Sequence, residues 1–200
     1  MLSSITPLGE RARGQHWGLT AAALTLGHLL GGALLGLLLT GLGTAIRPAF
    51  GGSLPLTAQL AVVGCVSVGA AVFDISGRSL PGHRQVDETW LTSYRGWVYG
   101  FGFGVQLGLG FVTVINTALF VPVVVAGLVL VPPAAIALGA GYGGIRAAMA
   151  LANARVHTVD DLKGLHRRLD AVGDVVRIVS ASIVGLLGAA AVIAAGGASA

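Results

Sequence analysis

Apolar residues in this chain run in long blocks, parted by short stretches where Gly, Pro and charge collect. The most uniform block is Trp97 to Phe120, WVYGFGFGVQLGLGFVTVINTALF, which holds no charged residue. At 1.5 Å per residue, about 20 residues cross the ~30 Å hydrocarbon layer of a bilayer, and this block is long enough to do so. Four more blocks of similar character predict spans over 18–45, 54–73, 119–142 and 175–195, beside 97–117 for the central one. The expected fold is all-α: one polytopic transmembrane helical bundle over residues 1–200, with cytoplasmic segments at 74–96 and 146–174.

Glycine spacing predicts how these helices meet. Gly100, Gly104 and Gly108 recur every fourth residue on one stripe of the central span, and Gly31, Gly32 and Gly36 share a face of the first. Missing side chains let a neighbouring backbone approach closely, a common packing device in lipid. Both stripes carry a polar companion. His28 lies on the Gly31–Gly36 face, where it is either a neutral imidazole bonded to a neighbouring helix or a proton- or substrate-binding group. Tyr99, Gly102, Gln106, Gly110 and Thr113 follow steps of three and four, which sets Gln106 between glycines and in line with a hydroxyl. An amide facing lipid is costly, so Gln106 faces protein or water, either as an interhelical hydrogen bond or as the lining of a polar path.

The links between blocks carry the turn signals. Arg47, Pro48 and Gly51-Gly52-Ser53 part the first two spans, and Asp74 closes the second. Pro81-Gly82 marks a turn, after which Val86 to Arg95 reads as a short interfacial helix with Trp90, Leu91, Tyr94 and Trp97 toward the acyl boundary. Asn116-Thr117 predicts a tight extracytoplasmic turn. In the fourth block Pro132 and Pro133 interrupt the hydrogen-bond ladder, predicting a kink or a broken helix. Thr158-Val159-Asp160-Asp161 reads as a helix start, with a capping hydroxyl and carboxylates in the positive first turn. Leu162, Leu165, Leu169, Val172 and Val176 then recur at three and four against Lys163, Arg167 and Arg168, predicting an amphipathic helix that rests on the cytoplasmic face and feeds the last span.

Charge sets the orientation. With the N-terminus inside and five crossings, every Lys and Arg except Arg47 falls in or at the edge of a cytoplasmic segment, as the positive-inside rule asks, so the C-terminus lies outside. Splitting the fourth block into two spans would place the two basic links on opposite sides, which disfavours six.

Composition narrows the function classes. The chain is 54% hydrophobic and 10% charged, against roughly a quarter charged in soluble domains, so no soluble catalytic domain is expected. The net charge of +4 comes from basic residues scattered along membrane flanks, which does not suit nucleic-acid binding. Cys65 is the only cysteine and cannot build a disulfide, a dithiol relay or a zinc site alone. His83, Asp87 and Glu88 match no ligand spacing, and neither a metal nor any other cofactor is expected. The apolar run after Arg11 and Arg13 exceeds the core of a secretory signal and reads as a retained first span. The acids lie in or beside the cytoplasmic segments, so no catalytic residue is assigned and the chain is not read as an enzyme.

The string RGWVYGFGFGVQLGLGFVT, a proline-containing span after it, and LHRRLDAVGDVVRIVSASIVGLLGAAAVI resemble the later helices of CcdA/DsbD-type membrane proteins of the LysE-like transporter superfamily. The resemblance implies a small bundle derived from a transporter scaffold. It does not carry over the family's thiol chemistry: the stretch Gly108 to Thr113 has neither the Pro nor the Cys of that family, and Cys65 matches neither of its cysteine positions.

Two functions compete. One is a small transporter or permease of the cytoplasmic membrane, with His28, Gln106 and Thr113 as polar lining, Pro132-Pro133 as a broken element, and a homodimer built on the glycine stripes. The other is a non-transporting membrane subunit or assembly factor whose helix faces bind a partner protein.

Overall fold

The computed structural model describes residues 5–78, 89–110 and 117–198. Its elements are helices α1 (Pro7–Ala12), α2 (Trp17–Ile46), α3 (Leu56–Ile75), α4 (Trp90–Ser93), α5 (Gly96–Leu109), α6 (Phe120–Val129), α7 (Pro132–Leu151) and α8 (Val159–Gly197), and no strand occurs among the described residues. Single 3-10 turns follow α2 and α7. The fold is an all-α bundle, and α2, α3, α7 and α8 are long and apolar enough to cross a membrane.

Local chemistry explains the main boundaries. Between Trp17 and Ile46 no proline or charge interrupts a run rich in Leu and Ala, so α2 continues until Arg47-Pro48 tightens into the 3-10 turn and Gly51 takes a left-handed φ of +84°. Helix α8 starts on a reciprocal cap. The Asp161 amide donates to Thr158 Oγ1 at 3.1 Å, and Asp161 Oδ2 accepts from the Thr158 and His157 amides at 2.9 and 3.1 Å.

Two compact units divide the chain, with α2, α7 and α8 contributing to both. The first comprises the described parts of Met1–Leu35, His83–Val114 and Gly139–Val172. Its core is Tyr99 and Phe103, both fully buried, with Ile5, Leu24 and Leu91. Trp90 stacks on Phe103 at 5.7 Å and covers Gly102. Of the aromatic set expected at the acyl boundary, Trp90 and Leu91 thus pack inward, while Tyr94 and Trp97 are exposed. The second unit comprises the described parts of Gly36–Gly82, Ile115–Leu138 and Gly173–Ala200, in which α3 packs on α6 and on the C-terminal part of α8.

Several segments differ from the sequence expectation. Among the described residues of the central block the helix is α5, 14 residues or about 21 Å, less than the hydrocarbon thickness. It stops at Leu109 because Gly110 takes a φ of +74°, outside helical space. The fourth block is two helices, since Leu130 is extended and Pro132 opens α7. A residue before proline is pushed out of the α region, and proline itself suits the first helical turn. Of the expected extracytoplasmic turn at Asn116-Thr117, Asn116 lies outside the described residues. Thr117 and the Ala118 amide bind the Asp74 carboxylate, which the expected topology puts on the opposite side of the membrane. Residues in direct contact share a side, so within this unit the chain reverses at Leu130-Val131. Finally, the amphipathic stretch and the last apolar block form one helix, since α8 is continuous from Val159 to Gly197.

Candidate functional site

The strongest polar constellation lies in the first unit, around a carboxylate. Thr6 opens α1 by accepting the Gly9 amide at 3.0 Å, and Pro7 suits the first turn, so six residues suffice to hold Glu10 in place. The Leu8 amide donates to the Val156 carbonyl at 3.1 Å, which docks α1 beside the turn after α7. Glu10 is fully buried. Its Oε1 accepts from Arg13 Nη2 at 2.6 Å and from the Tyr99 hydroxyl at 2.5 Å, while Oε2 accepts from Thr20 Oγ1 at 2.7 Å. Gln15 Oε1 takes the Gly96 amide at 2.9 Å, securing the start of α5 at the same place. Only glycine fits at 96, since a Cβ there would collide with Thr20 Oγ1.

The electrostatics follow from this geometry. Burial pushes the Arg13 guanidinium down, but hydrogen bonds to Glu10 and Tyr99 outweigh it and raise the group, which stays charged. Arg13 also lies 5.8 Å above the Tyr99 ring. Three donors on two carboxylate oxygens, one of them cationic, make a closed network that joins α1, α2 and α5. The arrangement ties the three helices together and aims the Tyr99 and Thr20 hydroxyls at one carboxylate.

The structure disperses the residues singled out from the sequence. His28 is buried, and its Nδ1–H donates to the Leu24 carbonyl of its own helix at 2.7 Å. Gln106 is half-buried. It stands two residues from both Gly104 and Gly108, which face α2, and two residues turn a helix about 200°, so Gln106 points away from His28. Thr113 lies outside the described residues, as do His83, Asp87 and Glu88. Every glycine of the two stripes packs inside the chain. Gly31 meets the Val105 backbone, Gly32 meets Gly139 and Gly36 meets Ala135. Gly100 meets Thr20, Gly104 meets Leu24 and Gly108 meets His28, so a Cβ at any of these positions would strike backbone. Pro132 and Pro133 are exposed at the start of α7.

Two further polar sites in the second unit were not legible in the sequence. Asp74 is buried and binds Thr117 and the Ala118 amide. Arg47 Nη2 donates to the carbonyls of Leu128, Val129 and Leu130 at 3.3, 3.0 and 3.0 Å, and Thr40 Oγ1 joins on Leu130 at 3.1 Å. Pro132 and Pro133 have no amide to offer the Leu128 and Val129 carbonyls at the end of α6, and a cation at a helix C-terminus serves them. The same unit has an apolar cavity of about 220 Å³ between α3, α6, α7 and α8, lined by residues such as Gly64, Pro122, Ala126 and Leu138. Its one polar side chain, Ser67, donates to its own helix at Val63. Among the described residues, no group of three or more His, Cys, Asp or Glu side chains is placed to hold a metal ion.

Comparison with protein-family models, with curated proteins and with solved structures yields no match, so none of them identifies the CcdA/DsbD-type family.

Proposed function

We propose that this chain is a multi-pass protein of the cytoplasmic membrane acting as a non-transporting subunit or assembly factor that binds a protein partner. The observation that carries this reading is the backbone-to-backbone packing around His28. The carbonyl of His28 sits against Gly108 and Gly143, and Gly31 and Gly32 press on α5 and α7. A transporter needs polar groups converging on a wet cavity that opens to each side in turn. Here His28 and Gln106 point apart, Glu10 is enclosed by its own donors, and the cavity of the second unit is apolar.

Reconstitution into liposomes tests the reading. Folded protein is expected to pass no more protons or small solutes than empty liposomes, while cross-linking in native membranes captures one stoichiometric protein partner. Proton or solute flux that disappears in Glu10→Gln overturns the reading in favour of transport.

A further inference from the structure

We infer that the end of the first unit where α1 docks is a binding site for the headgroups of anionic phospholipids, held by Arg11, Arg95 and Arg155. The inference rests on the reading of the chain as a membrane protein, and not on the protein partner which that reading also gives it.

Three arginines from distant parts of the chain meet there because α1 and the turn after it tie their backbones together. Arg11 belongs to α1 itself. The Leu8 amide donates to the Val156 carbonyl at 3.1 Å, which brings Arg155, the preceding residue, beside α1. Just after α1, Gln15 Oε1 accepts the Gly96 amide at 2.9 Å, which brings in Arg95, again the preceding residue. A Cβ on Gly96 would lie 3.1 Å from Glu10 Oε2, so Arg95 and Arg11 each adjoin one side of a single contact. All three arginines are exposed, and none has an ion-pair partner among the described residues.

The surface at this end is positive. Arg13 closes on Glu10 at 2.6 Å, and Glu10 is fully buried, so that acid is neutralised inside the unit. Asp160 and Asp161 are exposed at the start of α8, yet the described residues of the unit hold eight Lys and Arg against four Asp and Glu.

Depth identifies what this surface meets. Helix α2 is apolar enough to cross a membrane and starts at Trp17, and Thr20 in its first turn donates to Glu10 at 2.7 Å. Gly96, where α5 starts, packs on the same hydroxyl. Leu19, beside Thr20, is already 57% exposed, so the apolar surface that faces lipid begins at the level of this contact. Tyr94 and Trp97 flank Arg95 and are 52% and 50% exposed. Exposed Tyr and Trp, each with an apolar body and a polar tip, belong at the membrane–water boundary. The arginines are thereby set at headgroup depth and not beyond it, where a soluble partner would dock.

At that depth the chemistry selects anionic lipid. A guanidinium fits phosphate oxygens through two parallel hydrogen bonds, and its stem lies along apolar surface while the charge reaches the headgroup. Phosphatidylcholine balances its phosphate with its own ammonium, whereas phosphatidylglycerol leaves that charge for the protein to meet. Each basic residue gathered at a membrane surface adds to the attraction.

The test uses the full chain in mixed vesicles of phosphatidylglycerol and phosphatidylcholine, with bromine on the acyl chains of one lipid at a time and tryptophan quenching as the readout. Brominated phosphatidylglycerol is expected to quench several-fold more effectively than brominated phosphatidylcholine. The triple variant Arg11→Gln, Arg95→Gln, Arg155→Gln is expected to bring the two lipids level, while Arg→Lys at the same positions keeps most of the preference. Lys163→Gln, Arg167→Gln, Arg168→Gln removes three exposed charges elsewhere in the unit and is expected to leave the preference in place. With helix content intact by circular dichroism, an unchanged preference in the first variant, or an equal loss in the last, overturns the inference. So does the capture of a protein by a thiol cross-linker at Tyr94→Cys, in a Cys65→Ala background in native membranes, an outcome that leaves the subunit reading standing. Quenching by neither lipid overturns the site and membrane residence together.

Discussion

Glu10 illustrates how much one side chain can organise. A buried carboxylate is costly unless donors surround it, and here Arg13, Tyr99 and Thr20 supply them from three places in the sequence. Glu10→Ala leaves those donors facing a void and is expected to cost roughly 3 kcal/mol, the scale of breaking a buried ion pair. Tyr99→Phe removes a single bond to a charged group and is expected to cost about 1.5–3 kcal/mol. Unfolding in detergent, followed by circular dichroism, ranks the two. Asp161 offers a pH test at the start of α8. The Thr158 hydroxyl first, then the His157 and Thr158 amides, hold this exposed carboxyl below its usual range. A depressed carboxylate stabilises the cap above its unfolded value and loses that contribution as pH falls through the folded one. Amide exchange at His157, Thr158 and Asp161, measured as pH drops below the ordinary Asp range, is therefore expected to rise beyond its intrinsic dependence, and Asp161→Asn is expected to abolish that excess.

The elements obey different rules from those their composition suggests. Glycine stripes on α2 and α5 were readable as packing faces, but the same stripe serves an intramolecular or an intermolecular neighbour equally well. The structure uses them within the chain, so Gly32→Val or Gly104→Val forces helix backbones apart and is expected to cost 1–3 kcal/mol or more, as overpacking does. A loss of heat stability in detergent, with the isolated helix content retained, is the expected signature. The α6–α7 break depends on Pro132 and is served by Arg47. Arg47→Ala is expected to cost about 1–3 kcal/mol by leaving carbonyls unpaired, and Arg47→Lys is expected to recover only part of this, since an ammonium lacks the planar fork. Helix boundaries were less legible than helices. An apolar block of sufficient length looks like a span whether or not a glycine with positive φ stops it, and Gly110 carries no local mark that separates it from Gly108.

At the scale of the whole molecule, membrane residence makes a prediction about Cys65, an exposed thiol on apolar α3. In intact membranes a permeant maleimide is expected to label it, whereas an impermeant reagent reaches it only after detergent is added, read as a mass shift on the chain. By itself the sequence determined the all-α class of this protein, the existence of long helices apolar enough to cross a membrane and the cap that starts α8. Those properties depend on runs of apolar residues and on neighbours within four positions, which a linear pattern records. Only tertiary structure decided which polar groups meet. Glu10 with Tyr99, Asp74 with Thr117 and Arg47 with the carbonyls before Pro132 are pairings across 43 to 89 positions, and no local periodicity encodes them. It also decided that His28 and Gln106 point apart, because side-chain direction depends on which face each helix buries.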